Sequence, residues 1–445
     1  MTVVNSQINN SHEESRRQHI PILSPPSGDY DRPRLLMVCY CFNPNGTMEE
    51  RNGWQRAILA ARHFDVTVLY LPSVEQDSLS RQVPMHLTPN AMTLVPICDD
   101  RLSHAFKAFE PTFYLSYHHW QRLAFRCAKK LHSKTPFDLT HMVTLCGFRE
   151  PSLVWKLDVP HIWGPIGGTH NFPLAFLRSL DIGNQIRELF RTAMNHYQLN
   201  WCRHVRCAVK KSSIIIAASA AAQKNFQQSF GKVVEHELET GIDYPISAPR
   251  NARNGQSPLK ILWTGRLRAW KALPILLQAI ASLPDSVNVQ LRIVGNGKSK
   301  TAWMKLATRL GIDHCIEWLP WPDYRETIQH YEWADVFAFT SLRDTSGTGL
   351  LEALAAGCPI LGVDHQGAAD IMTEECAIAV PVESWTAVVN GFRDGVLRLS
   401  TDHELWHKLS KGSTARASYF SWNRRSPFMS DLYLKVLKSS HLKPN

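Results

Sequence analysis

Apolar residues in this chain fall into short unbroken blocks, separated by longer stretches where they recur at helical spacing. The first block, Leu35-Leu36-Met37-Val38-Cys39, has no polar interruption and predicts a parallel strand buried on both faces. A loop containing Asn45-Gly46 follows, then a helix over about 53–63 and a second strand over 66–70. Further strands are predicted at 137–143, 159–163 and 213–216, with long helical stretches over about 103–134 and 172–211. The alternation restarts at Lys260-Ile261-Leu262-Trp263. Its helices are well phased. Leu273, Leu276, Leu277 and Ile280 share one face, as do Trp303, Leu306, Ala307 and Leu310, and again Trp385, Val388, Val389 and Phe392. Gly311 follows the second of these where a helix C-terminus favours glycine. Strands separated by helices predict an α/β sheet covered on both faces.

Two such alternations in 445 residues predict two Rossmann-like domains, since one core rarely serves so long a chain. Residues 1–33 are polar, with Pro25-Pro26-Ser27-Gly28 near their end, and read as a disordered leader. The first domain is expected over 34–247, a polar linker over 248–258, the second domain over 259–401, and a helical segment over 402–445. In such sheets ligands sit at the C-terminal ends of the strands. Two sheet edges facing across a cleft therefore hold two substrates.

Charge narrows the partners. A formal charge of +10 suits a nucleotide diphosphate, an anionic membrane or a nucleic acid. No zinc finger or aromatic RNA-binding motif accompanies it, so nucleic acid is set aside. The ten cysteines lack the paired spacing of zinc ligands, which fits a reducing, cytoplasmic setting. No apolar stretch is long enough to span a bilayer, and the N-terminus lacks the apolar core of a signal peptide.

The candidate chemistry lies mainly in two loops. A strand over 336–340 leads into the polar loop 341–347, and a helix is predicted to start near Thr348. Ser346, Gly347, Thr348 and Gly349 would offer backbone N–H groups at that helix N-terminus, an arrangement that binds phosphate. An ordinary tight turn is the competing reading. Asp344 before the helix could bind sugar hydroxyls, and Glu352, placed in the first turn, could accept from a ribose. The second loop, Gly265-Arg266-Leu267-Arg268-Ala269-Trp270-Lys271, follows the strand over 261–264. Arg266 and Lys271 there could clamp two phosphates and stabilise a departing diphosphate. A solvated basic loop is the alternative.

Taken together, these residues resemble the retaining glycosyltransferases of family 4, which have the GT-B fold of two Rossmann-like domains facing across a cleft. The resemblance rests on Gly265-Arg266 with Lys271, on Ile293-Val294-Gly295-Asn296-Gly297, and on Asp344 through Gly357-Cys358-Pro359. Gln366-Gly367-Ala368-Ala369-Asp370-Ile371 and Ala379-Val380-Pro381 continue it in order. It implies that Arg266 and Lys271 are donor-phosphate ligands, that Glu352 holds the ribose, and that Gly265 and Gly295 line the donor site. Asp344 and Asp370 stand where the family uses glutamate, so the carboxylate at Asp344 is withdrawn by about 1.5 Å. The resemblance also implies that the segment over 402–438 crosses back onto the first domain.

On the first domain the resemblance is less specific. It places Gly46 towards the donor and His141 at the acceptor cleft, where a satisfied core histidine is the competing reading. Gly167 and Gly168, in Gly164-Pro165-Ile166-Gly167-Gly168, are candidate acceptor-side residues. Gly147-Phe148-Arg149-Glu150-Pro151 is expected to start a helix, with no role assigned. The implied catalytic set is Asp344, Arg266, Lys271 and His141. No Asp-x-Asp pair stands at a strand end to hold a divalent metal, so no metal and no cofactor is expected beyond the nucleotide-sugar co-substrate.

The expected activity is transfer of a sugar to a hydroxyl acceptor in polysaccharide or lipid-linked glycan synthesis, at the cytoplasmic face of a membrane. Arg122, Arg126, Lys129 and Lys130 recur at helical spacing beside Trp120, Leu123, Phe125 and Leu131, a candidate for docking on an anionic leaflet. A solvated face over a core-packed helix competes with it. A sugar-nucleotide epimerase and a non-catalytic nucleotide-sugar-binding protein remain as alternatives. A dinucleotide oxidoreductase does not fit, because Phe42-Asn43-Pro44-Asn45-Gly46 after the first strand contains no GxGxxG.

Overall fold

A computed structural model describes residues 32–73, 79–84, 87, 91–98, 113–242, 246–248, 250, 257–321 and 324–441. All but two residues of the expected leader lie outside these, as does most of the expected linker. The described part of the first domain runs β1 (Arg34–Cys39), α1 (Met48–Ala61), β2 (Asp65–Tyr70), β3 (Met92–Pro96), α2 (Phe113–Lys134), β4 (Leu139–Thr144) and β5 (His161–Ile166). It continues with α3 (Ile182–Asn200), α4 (Arg203–Lys211), β6 (Ile214–Ala217), α5 (Ala220–Phe230) and β7 (Glu235–His236). The strands pair in parallel in the order β3-β2-β1-β4-β5-β6-β7.

The second domain runs β8 (Leu259–Thr264), α6 (Pro274–Ala281), β9 (Val289–Val294), α7 (Lys300–Arg309), β10 (Ile316–Leu319), α8 (Tyr324–Trp333) and β11 (Val336–Phe339). Then come α9 (Thr348–Ala355), β12 (Ile360–Asp364), α10 (Gly367–Ile371), β13 (Ala377–Pro381), α11 (Trp385–Thr401), α12 (His403–Tyr419) and α13 (Trp422–His441). Its parallel sheet, β10-β9-β8-β11-β12-β13, has the doubly wound order in which the strand order reverses between β8 and β11. Strands β1 and β4 are the corresponding pair of the first sheet.

Unbroken apolar strands go with burial on both faces. Leu35 to Cys39 are fully buried, and the two sides of the first sheet carry separate apolar clusters. One of these is completed by the chain's far end: Met429, Leu432, Tyr433 and Val436 of α13 pack against α1 and β1 residues. The crossing is locked by Arg425, which donates to the carbonyls of Leu238 and Thr240 and pairs with Glu237. Arg56 donates to the same carbonyl of Leu238 at 2.7 Å. Phe172 and Phe176 of the first domain pack into the second domain's core, so the two domains share apolar contacts.

Several expected elements differ. The stretch over 172–211 is not one helix but a short 3₁₀ turn at Leu174–Ser179 followed by α3 and α4. Asp181 starts α3 by accepting from the amide of Asn184 at 3.0 Å, and the chain turns again at Trp201. No helix starts at Gly147. Gly147 instead bridges to Gly167, and a 3₁₀ turn follows only at Val154–Lys156. Helix α2 is described from Phe113 on, and residues 103–112 of its expected span lie outside the described part. Strand β3 was not anticipated; it is a short edge strand whose last residue is Pro96, a residue edge strands tolerate.

Candidate active site

Two loops leave the C-terminal ends of β8 and β11, the neighbouring strands at which the sheet order reverses, and a crevice opens there in such sheets. The hydroxyl of Thr340, buried at the end of β11, donates to the carbonyl of Lys271 at 2.6 Å and accepts from the Trp263 indole at 2.9 Å. Leu342 N–H donates to the Trp270 carbonyl at 3.0 Å. These bonds fix one loop on the other, and the Lys271 ammonium meets the Asp344 carboxylate in a half-buried ion pair. Asp344 N–H donates to Gln366 Oε1 at 3.0 Å, and Gln366 Nε2 donates across the cleft to the carbonyl of Asn171 at 2.9 Å.

Gly347 turns the chain into α9 with φ of +62°, a left-handed conformation that glycine adopts without strain. The first amides of α9 have no acceptor within the helix, so Thr348 and Gly349 present donors and the positive helix end to the crevice. Glu352 is half-buried and opens the second turn of α9 rather than the first, because the helix begins at Thr348. Arg266 is exposed, and its guanidinium makes no ion pair among the described residues. Gly295 closes β9 against the first loop; a Cβ there would lie 2.0 Å from the Gly265 carbonyl oxygen.

Across the cleft, Gly167 faces the Thr345 side chain, and the Gly168 carbonyl accepts from Arg149 at 3.2 Å and Arg191 at 3.4 Å. Gly46 lies in the loop after β1, against the carboxylate of Glu50. His141 is placed differently from the expected cleft position. Its ring is fully buried, with Nδ1 2.7 Å from the Tyr433 hydroxyl and Nε2 2.6 Å from the Gly164 carbonyl. The carbonyl can only accept, so Nε2 carries the proton and Nδ1 accepts from Tyr433. Burial drives its pKa down to about 3, so the ring stays neutral and joins α13 to β4. Asp370 also crosses the cleft, accepting from the amide of Ala220 at 2.8 Å.

Three groups without a local sequence signal complete the cleft. Arg343 pairs with Glu188 of α3 at 3.0 Å, joining the domains. Ser346 donates to Glu239 Oε1 at 2.6 Å, and Glu49 accepts from the Cys146 amide at 2.8 Å. Burial, then the nearby Glu49 charge, pushes Glu239 up to about 7, and burial raises Glu49 as well. Among the described residues no group of three or more His, Cys, Asp or Glu is placed to hold a metal ion. The arrangement offers cations and helix amides for a diphosphate and carboxylates for hydroxyls.

These burials make folding pH-dependent. His141 and His161 are held at about 3 and His170 at about 4, chiefly by burial, against an ordinary value of 6.5. Between about pH 4.5 and 6.5 the unfolded chain binds more protons at these rings, so stability rises with pH by about 1.4 kcal/mol per pH unit per proton. Glu239 has the opposite sign: its folded state holds a proton from 4.5 up to about 7, so its contribution falls as pH rises. The unfolding midpoint is expected to climb from pH 4.5 to 6.5, and more steeply in Glu239→Gln. A flat midpoint over that range contradicts the assignment.

Residues 248–414 match the family model described as Glycosyl transferases group 1. The D-inositol 3-phosphate glycosyltransferase of Saccharomonospora viridis is 28% identical over 191 residues, which is 40% of this chain and 43% of that protein. The lipopolysaccharide core biosynthesis glycosyltransferase LpsE of Rhizobium meliloti is 26% identical over 210 residues, 47% of this chain and 58% of that protein. The chain spans about half the length of the curated relatives it matches. Among solved structures, Anabaena HepE in complex with UDP-glucose superposes with a TM-score of 0.56 at 15% identity, over 90% of this chain and 99% of that one. That likeness concerns the fold, and it extends over both domains. Residues 248–414 form a glycosyl transferases group 1 domain, and the chain is built on the GT-B fold.

Proposed function

We propose that this protein transfers a sugar from a nucleotide-diphosphate sugar to a hydroxyl acceptor, with retention and without a metal, in polysaccharide or lipid-linked glycan synthesis. The observation that carries this reading is the Lys271–Asp344 pair beside the open N-terminus of α9. Each member suits one part of a bound donor. The diphosphate meets Lys271, Arg266 and the amides of Ser346, Gly347, Thr348 and Gly349, while Asp344 turns to the sugar and Glu352 to the ribose. A UDP-glucose complex of HepE and the lipopolysaccharide role in the name of the Rhizobium meliloti relative support the donor class and the setting.

In the proposed reaction the bond from the anomeric carbon to the diphosphate oxygen breaks, and its electron pair leaves with the diphosphate. Positive charge develops on the sugar ring while the cations and helix amides stabilise the departing anion. The acceptor hydroxyl enters from the same face and forms the new bond, and its proton passes to the departing phosphate oxygen. His141 has no place in this scheme, being neutral and sealed in the core. Closure of the two domains aligns donor and acceptor and excludes water.

The test is nucleotide release from a panel of UDP-, GDP- and ADP-sugars. Slow hydrolysis of one donor is expected, unchanged by EDTA and reduced by about a hundredfold or more in Lys271→Ala and Glu352→Ala. Loss of activity in EDTA contradicts the metal-free reading. An isomerised sugar nucleotide among the products indicates an epimerase, and donor binding without turnover indicates a binding protein.

We further propose that the protein docks on an anionic membrane surface, through a different helix from the one the sequence suggests. On α2 the basic residues Arg122, Arg126, Lys129 and Lys130 are exposed, but Trp120 is fully buried and bonded to the Ile97 carbonyl, so that face is solvated charge over core. The apolar surface lies on α3 and the turn that ends it instead, where Ile182 is 74% exposed, Phe190 67% and Trp201 63%, joined by Ile186 and Tyr197. Arg178, Arg187, Arg203 and Arg206 flank it and are exposed. Apolar side chains rimmed by cations suit an anionic leaflet. No helix among the described residues is long and apolar enough to cross a membrane. Flotation with phosphatidylglycerol vesicles, but not phosphatidylcholine vesicles, is expected, with loss in Phe190→Ser/Trp201→Ser. Absence of flotation with either contradicts the docking.

A further inference from the structure

The inner face of α3 carries Glu188, Arg191 and Asn195, three and seven positions apart and therefore on one side of the helix. Glu188 and Asn195 are buried. Arg149, from the turn after β4, donates to Asn195 Oδ1, and its Nη2 reaches the Gly168 carbonyl at 3.2 Å. Arg191 Nη2 reaches the same carbonyl at 3.4 Å. The two guanidinium groups therefore stand side by side at one oxygen. From the second domain, Arg343 pairs with Glu188 at 3.0 Å while its guanidinium lies 4.6 Å over the Trp270 ring.

Three guanidinium groups thus gather around Glu188, while the neighbouring carboxylates already have partners, Asp344 with Lys271 and Glu150 with His118. The Nε atoms of Arg191 and Arg343 are buried without a hydrogen-bond partner. Burial, then repulsion from Arg191, pulls both Arg149 and Arg343 down to about 10. Half-buried like charges with open donors are unfavourable unless an anion joins them. The donor diphosphate is already accounted for by Lys271, Arg266 and the start of α9. A second anion is what this cluster lacks.

We propose that Arg149, Arg191 and Arg343 bind an anionic group of the phosphate class carried by the acceptor. This rests on the reading above that the first domain takes the acceptor. Guanidinium groups bind phosphate through paired N–H donors, and two of them converging on one point can hold a dianion from two sides. Arg343 is the residue before Asp344, so an acceptor anchored here lies next to the proposed sugar site. Arg343 comes from one domain and Arg149 and Arg191 from the other, so a bound phosphate also draws the domains together. The same chemistry is supplied by a soluble sugar phosphate or by the phosphate of a lipid carrier.

The test needs no glycosyl transfer, so it stands apart from the donor-hydrolysis assay. Inorganic phosphate is titrated against the full chain, reading the thermal unfolding midpoint, and vesicles containing phosphatidic acid are tested in parallel. If the acceptor is soluble, phosphate raises the midpoint of wild type and of Lys271→Ala. Arg191→Gln then binds phosphate about tenfold or more weakly, the loss expected for one charge-assisted contact. If the acceptor is lipid-borne, phosphatidic acid vesicles recruit the protein more strongly than phosphatidylglycerol vesicles, and Arg191→Gln removes that difference. In phosphate-free buffer Arg191→Gln is expected to be at least as stable as wild type, because it relieves repulsion, whereas a purely structural arginine would lower the midpoint. Arg191→Lys, which keeps the charge and loses the fork, falls between the two. A phosphate response retained in Arg191→Gln, a response lost in Lys271→Ala, or no response to either probe overturns the proposal.

Discussion

Thr340 directly follows β11 and is buried, and its one hydroxyl accepts from the Trp263 indole N–H while donating to the Lys271 carbonyl. That oxygen ties the loop after β8 to the end of β11, beside the bond from Leu342 N–H to the Trp270 carbonyl. With it, the backbone of the first loop is fixed against the strand that launches the second, and the Lys271 side chain is delivered to Asp344. The constraint is topological before it is chemical. Only strands adjacent at the point of reversal bring two loops to one crevice, and the parallel order β10-β9-β8-β11-β12-β13 makes β8 and β11 those strands.

From that crevice the contacts spread across the domain boundary. Ser346 reaches Glu239, Arg343 reaches Glu188, Gln366 reaches Asn171, and Asp370 caps the first amide of α5. Each of these residues belongs to a loop or helix start that also borders the proposed donor site, so the relative position of the domains and the shape of the site are set by the same groups. The return of α13 adds a hinge-side lock, where Arg425 and Arg56 both donate to the Leu238 carbonyl. His141 belongs to that lock through Tyr433, and its burial there keeps the ring neutral.

Much of this was legible in the sequence because the information is local. Unbroken apolar blocks such as Leu35 to Cys39 and Val336 to Phe339 became buried parallel strands, and the glycines around Thr348 became a strand-to-helix loop. Boundaries failed where one side chain decides them: Asp181 restarts a helix that periodicity alone would run straight through. The residues that periodicity could not reveal are those paired across long separations. Arg343 with Glu188 and Ser346 with Glu239 join positions more than a hundred residues apart, and nothing near either partner marks the contact. Arg149 was visible as part of a motif without a role, because its partners Gly168 and Asn195 arrive only when the strands assemble. His141 shows the converse case, a residue that sequence comparison places at a cleft and burial places in the core.

The central claim is that the Lys271–Asp344 pair holds the place of a nucleotide-sugar. A crystal structure of the protein with an intact donor, at a pH near neutrality, tests it most directly. Lys271 Nζ is expected to leave Asp344 for a phosphate oxygen, the amides at the start of α9 to lie within hydrogen-bond distance of the diphosphate, and Asp344 to contact a sugar hydroxyl. A donor bound elsewhere, with the Lys271–Asp344 pair intact, would contradict it.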